Sequence, residues 1–300
     1  MENIKLLIIL LLLAMVSAVQ ADSQADYQGR ILHPKGLLWK IEKAGMTPSY
    51  LYGTMHVGDP RVLKLAPEVE RAFVEADRFG MEVLLNFQAI GVITGGSFFN
   101  DGRTLKSVMK EADYQRLINL LEQQFQMSEQ MVMHMRPWVV LTLLMMPEKA
   151  QADSDSALDM VLYRRAAMRR IPLLGLETAE EQLAVFESLE MEEQVWMLNK
   201  TVEDFGMLED LYPMLLDNYL RRDLAGLVKL QDRYMYPETD IDDRFMIELL
   251  DKRNLRMVAR MQDFLKQGNA FIAIGALHLP GTTGVLHLLE QQGYQVTSVY

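Results

Sequence analysis

The chain contains no cysteine in 300 residues. That excludes disulfides, thiolate metal ligands and a cysteine-borne lipid anchor. Basic charge is also in short supply: 30 Lys and Arg stand against 41 Asp and Glu, a net charge of −11. No basic stripe is left over for nucleic acid, and acidity by itself names no partner, because charge of one sign also maintains solubility. Long apolar runs are scarce. The only uninterrupted one spans residues 6–16, preceded by Lys5 and followed by Val19-Gln20-Ala21, a small-x-small site. It is short for a membrane span and has the form of a secretory signal peptide, with cleavage expected after Ala21. The expectation is therefore a periplasmic or secreted protein with no stable membrane insertion after cleavage. Without disulfides it relies on its core, and about 280 residues are enough to build a large one. No Pro/Gly/Ser-rich linker divides the chain, so residues 22–36 read as a flexible start and 37–300 as a single domain.

Histidine is rare too, with five in the chain, yet two of them share one setting. Residues 51–58 read Leu-Tyr-Gly-Thr-Met-His-Val-Gly and residues 273–281 read Ala-Ile-Gly-Ala-Leu-His-Leu-Pro-Gly. Each is an apolar, strand-like run ending in Gly-x-x-His, at Gly53–His56 and Gly275–His278. A strand delivers its last side chain to the open rim of a sheet, where ligands bind in α/β proteins. A glycine three residues earlier keeps one face bare for close approach. Two imidazoles at one rim make half of a metal site; the alternative is a pair of buried, hydrogen-bonded histidines. Glu82 lies in another apolar run, 79–84. A carboxylate there needs a cation, a metal or a strand-end position if it is buried, or else it faces solvent at a sheet edge.

The remaining pattern is mixed. Strands are expected at 37–41 and 50–56, joined as a hairpin through Gly45 and Pro48, and at 79–84, 172–177, 271–279 and 295–299. Helices are expected at 68–76, 105–126, 128–145, 154–169, onward from Thr178 to about residue 266, and at 284–292. Thr178-x-x-Glu181 is a capping box opening one of them. Residues 88–100, with Gly91, Gly95 and Gly96, read as a mobile loop near the site. Met127, Met131, Met133, His134 and Met135 have the softness of a copper(I) ligand set, but alternate positions scatter around a helix, and methionine commonly fills irregular cores. Asp153-x-Asp155-x-x-x-Asp159 lacks the glycine and closing glutamate of a calcium loop, so helix capping accounts for it better. His287 reads as structural, and His33 lies in the irregular start.

Taken in order, the segments 51–61, 175–182 and 273–281 resemble the TraB/GumN family, relatives of the Tiki metalloproteases and, more remotely, of erythromycin-esterase-like and ChaN-like proteins. The resemblance runs from about residue 37 to 300. It implies an α/β fold: a mixed central β-sheet flanked by helices, with a large helical insertion. It also implies an active site built on His56, His278 and Glu82 as metal ligands. Arg253-Asn254 matches the family's late Arg-Asn pair, and Arg136-Pro137-Trp138 is a looser match to a basic-Pro-Trp element. The candidate catalytic residues are Glu82, Glu177, Arg253 and Asn254.

Two imidazoles and a carboxylate suit a divalent ion such as Zn, Mn or Co, which activates water and polarises a carbonyl. Glu177 is a general base, a supporting partner or an additional ligand, or else a carboxylate at a helix N-terminus. Arg253 holds a substrate carboxylate or a developing oxyanion, or else an ordinary salt bridge. The function implied is an exported, metal-dependent hydrolase of peptides. The alternatives are a non-enzymatic periplasmic binding protein for metal, haem or peptide on the same fold, and an esterase-like hydrolase of small molecules.

Overall fold

Residues 38–54 fold into the hairpin that two strand-like runs and the Gly45 and Pro48 turn between them predict. Strands β1 (Leu38–Glu42) and β2 (Ser49–Thr54) pair antiparallel, with Leu38 opposite Tyr52 and Ile41 opposite Ser49. This is a computed structural model, and it describes residues 31–145, 157–233 and 239–300. The expected signal peptide, most of the 22–36 segment, and Asp153 and Asp155 lie outside the described residues.

Four further strands complete one mixed sheet: β3 (Arg78–Met81), β4 (Leu173–Gly175), β5 (Ala270–Gly275) and β6 (Gln295–Ser298). Their order is β4-β3-β5-β2-β1-β6. The first four are mutually parallel, whereas β1 runs antiparallel to both of its neighbours. β5 reads Ala-Phe-Ile-Ala-Ile-Gly and is buried along almost its whole length. A continuous apolar run of this kind is what a parallel strand covered on both faces requires. Phe271 on β5 meets Phe73, Phe79 and Tyr52 at ring-centroid distances of 5.4–6.4 Å, anchoring the centre of the sheet.

Helices cover this sheet. After β2 come α1 (Pro60–Leu63) and α2 (Pro67–Glu75). After β3 come α3 (Phe87–Ser97), α4 (Leu105–Val108), α5 (Glu111–Phe125), α6 (Glu129–Val132), α7 (Pro137–Leu144) and α8 (Leu158–Arg169). Between β4 and β5 lie α9 (Ala179–Glu187), α10 (Met191–Glu203), α11 (Phe205–Leu220), α12 (Leu224–Arg233) and α13 (Ile241–Met246). A π-helical turn, Ile247–Asp251, then runs into α14 (Lys252–Gln267). A 3₁₀ turn, Ala276–His278, follows β5, and α15 (Val285–Gln291) precedes β6. Among the described residues no helix is long and apolar enough to cross a membrane.

Three expectations need correction. Residues 88–100 are not a loop: α3 occupies most of them. Asn86 caps it by accepting the Ala89 N–H at 2.8 Å, Ile93 is buried, and Gly96 lies against Leu183 of α9, where a Cβ would come within 2.5 Å of a leucine methyl. Gly96 serves helix packing, whereas Gly91 and Gly95 face open space on the same helix. The two long helices expected at 105–126 and 128–145 divide into four. Met109 turns extended, Gln126 adopts φ 54°, and Met135 forms an isolated bridge with Phe98 before Pro137 opens α7. The strands expected at 79–84 and 271–279 stop early, at Met81 and Gly275. Beyond Met81 the chain keeps only irregular pairing, with Glu177 N–H donating to the Glu82 carbonyl at 2.7 Å.

Candidate active site

Because β4, β3, β5 and β2 are parallel, their C-terminal ends share one edge of the sheet. Each end is followed within a few residues by a buried polar side chain: Glu177, Glu82, His278 and His56. This is where an open α/β sheet places its ligands. His56 lies two residues past the end of β2, and His278 lies on the 3₁₀ turn after β5. Both imidazoles point their Nε2 atoms at the same carboxylate oxygen: each Nε2 is 4.0 Å from Glu82 Oε1. Gly275 makes the gathering possible. A Cβ on it would sit 3.3 Å from Glu82 Oε1, 3.5 Å from His278 Cδ2 and 3.6 Å from His56 Nε2. Gly53 does a different job. A Cβ there would meet the Leu279 side chain at 2.7 Å and the Ala276 backbone at 3.2 Å, so its bareness lets the His278 turn lie on β2.

A second set of groups holds these three. Glu82 Oε1 accepts the Gly275 N–H at 2.7 Å, and Oε2 accepts from Arg253 Nη2 at 2.7 Å. Arg253 also donates through Nε to Glu177 Oε2 at 2.8 Å, so one guanidinium bridges two buried carboxylates. The other Glu177 oxygen takes Arg256 Nη2 at 2.9 Å. Gln182 Nε2 lies 3.4 Å from Glu82 and 3.5 Å from Glu177. His278 Nδ1 is 2.6 Å from Asn254 Oδ1, and the Asn254 amide donates to the Thr283 carbonyl at 2.9 Å. His56 Nδ1 faces Asp159 Oδ2, and Asp159 Oδ1 accepts the Thr54 hydroxyl.

The electrostatics follow from these contacts. Burial pushes the Glu82 carboxyl up, but Arg253, the two imidazoles and the Gly275 N–H together bring it down to about 2. Burial, followed by the Arg253 guanidinium, lowers His278 to about 4. His56 differs: burial acts to lower it, but Asp159 and then Glu82 outweigh burial and leave it raised. Arg253 is lowered by burial and raised more by Glu82 and Glu177. The result is a neutral His278, an ionised Glu82 and a cation fixed behind them.

The structure therefore brings together His56, His278, Glu82, Glu177, Arg253 and Asn254 from five separate stretches of chain. Glu177 is occupied by Arg253 and Arg256. Arg253 is no surface salt bridge: it is 2% exposed. Arg136 lies apart, paired with Glu187 at 3.3 Å. His287 and His33 contact Glu290. Met131 is exposed while Met135 is buried, so the methionine run points in different directions. Three supporting residues are not among the sequence candidates: Asp159, Gln182 and Arg256, which holds Glu177. Asp159 was assigned to capping, yet it makes no cap hydrogen bond on α8 and holds His56 instead. Gln182 closes the family-like segment 175–182, but no residue pattern there assigns its side chain to the site.

Among the described residues no group of three or more His, Asp or Glu side chains is closed tightly enough to hold a metal ion as it stands. The donor set nevertheless suits one. Both Nδ1 atoms face oxygen acceptors, which leaves both Nε2 lone pairs directed at Glu82. A gap of 4.0 Å is within reach of two ligand bonds of about 2.0–2.2 Å each, and the bare Cα of Gly275 keeps the space between them clear.

Fold and site together define an α/β protein with a buried histidine–carboxylate cluster at the C-terminal edge of its parallel strands. The chain belongs to the TraB/PrgY/gumN family, whose model matches residues 37–298. It is similar to metalloprotease TIKI1 of Xenopus tropicalis, 27% identical over 309 residues that cover 86% of this chain and 60% of that protein. It is 26% identical to metalloprotease TIKI2 of Danio rerio, over 86% of this chain and 60% of the relative. It is also 26% identical to human metalloprotease TIKI1, over 86% of this chain and 61% of the relative. The chain thus spans about 60% of the length of these curated relatives. No solved structure matches it.

Proposed function

We propose that this chain is an exported, metal-dependent hydrolase of peptides, with His56, His278 and Glu82 holding a divalent ion such as Zn, Mn or Co. The observation that carries the reading is the convergence of two imidazole Nε2 atoms on Glu82 Oε1 over the bare Cα of Gly275. The TIKI relatives carry the name metalloprotease, which supports peptide over ester as the substrate. The sequence of residues 1–21 supports export.

A bound ion would supply Lewis acidity and an activated water. The chain's own residues do the rest. Asn254 and Asp159 fix the ring orientations. Arg253 keeps Glu82 ionised and prevents it from turning away from the imidazoles. Arg253, already bridging two carboxylates, supports the site by position; the remaining edge of the guanidinium pair is Arg256, which is partly exposed and nearest to solvent.

The test is metal content of the purified chain, together with digestion of a peptide library with and without chelator. Chelation is expected to stop cleavage and Mn, Co or Zn to restore it. His56→Ala and His278→Ala are each expected to lose the metal. Metal retention without any turnover of peptides or esters would favour the binding-protein reading instead.

A further inference from the structure

The two imidazoles of the cluster are held by chemically different partners. His278 Nδ1 meets the amide oxygen of Asn254, whose own NH₂ is committed to the Thr283 carbonyl. That commitment fixes which way the amide points and makes His278 Nδ1 the protonated nitrogen. His56 Nδ1 stands in ion-pair contact with a carboxylate oxygen, Asp159 Oδ2, which can only accept and is a buried atom that no other group satisfies. The other Asp159 oxygen is taken by the Thr54 hydroxyl, two residues upstream of His56. Asp159 is 6% exposed, and burying an aspartate is unfavourable unless its partners hold it. It caps nothing on α8, whose N-cap residue is Ala157. The partners it does have are His56 and Thr54.

We propose that Asp159 is a positioning residue, supported by Thr54, that locks His56 as the Nδ1–H tautomer and makes it the more electron-rich of two unequal imidazole arms. A carboxylate behind a ligating histidine fixes its ring and raises its basicity, whereas the neutral amide of Asn254 fixes the ring of His278 without adding charge. The consequence for metal affinity rests on the metal-centre reading given above; the tautomer assignment does not.

Two measurements on the full chain test this. In the metal-free protein, ¹⁵N-histidine NMR at a pH where both rings are neutral reads each tautomer. Wild-type His56 is expected to carry its proton on Nδ1. Asp159→Ala is expected to populate the Nε2–H form of His56 and leave His278 unchanged. Calorimetric titration with Co²⁺ is expected to show about a ten- to hundredfold loss of affinity in Asp159→Ala. Asp159→Asn, which keeps an acceptor but not the charge, is expected to recover part of that loss. If Asp159→Ala does not fold, Asp159→Asn and Thr54→Val carry the test, each with weaker Co²⁺ binding than wild type.

A wild-type His56 protonated on Nε2 would overturn the proposal, as would folded Asp159 variants with undiminished Co²⁺ affinity. A wild-type chain that binds neither Co²⁺ nor Mn²⁺ would instead overturn the metal centre, and the tautomer readout would then decide the role of Asp159 alone.

Discussion

Arg253 shows how one side chain can organise a buried cluster. Its guanidinium serves Glu82 and Glu177 together, and its Nη1 donates to the Leu249 carbonyl of the π-helical turn at 3.2 Å. Removing one partner from a buried ionic set costs about 3–5 kcal/mol, because the charges left behind have no compensation. Arg253→Ala is therefore expected to destabilise the chain by that amount, measured by urea unfolding. Arg253→Lys is expected to restore only part, since an ammonium lacks the planar fork that spans two carboxylates. A loss below about 1 kcal/mol for the alanine variant would sink this account. The same residues show what a sequence discloses at this scale. His56 and His278 were legible because Gly-x-x-His occurs twice in an otherwise histidine-poor chain, and Glu82 because an acid interrupts an apolar run. Asp159 was misread because its spacing from Asp155 and Asp153 invited a local explanation, whereas its actual partner lies more than a hundred positions away. Gln182 and Arg256 sit on helices whose apolar stripe marks the inward face, but that stripe does not say which polar neighbours reach the site.

At the scale of elements, the site depends on how closely the turn after β5 lies on β2. Gly53 sets that distance, since a Cβ would press on Leu279 and on the Ala276 backbone. Gly53→Ala is expected to lower stability by about 1–3 kcal/mol, the usual range for overpacking, and to move the turn that carries His278. Asn86→Ala, which removes the cap of α3, is expected to cost about 1 kcal/mol without touching that turn. Comparing the two well below their melting temperatures separates stability from geometry: Gly53→Ala should lose metal affinity and Asn86→Ala should keep it, and equal affinities would refute the spacing role of Gly53. The hairpin, the buried β5 and the Thr178 capping box were legible because their signals are local. The α3 segment was not, because its three glycines suggest a loop until the helix is set against α9. The divisions between α4 and α7 also depend on tertiary contacts, among them the bridge from Met135 to Phe98.

At the scale of the whole molecule, unfolding releases every buried titratable group at once, so the metal-free protein should report the cluster through its pH dependence. His278 is depressed from 6.5 to about 4. Between those values the unfolded chain binds the extra proton, so its contribution to stability is complete above about pH 6.5 and is lost as pH falls toward 4. The shift corresponds to about 3 kcal/mol. Glu82, lowered from 4.5 to about 2, acts in the same direction over a more acidic window. His56 has the opposite sign: its raised pKa gives stability that is present below about 6.5 and disappears as pH rises through its folded value. The metal-free chain is therefore expected to gain stability from about pH 4 to 6.5 and to give some back at higher pH. Urea unfolding across that range checks the prediction. His278→Gln should flatten the acid limb and His56→Gln the alkaline one. Parallel curves for wild type and both variants would mean that the two imidazoles do not stand in the unequal environments that Asn254 and Asp159 give them.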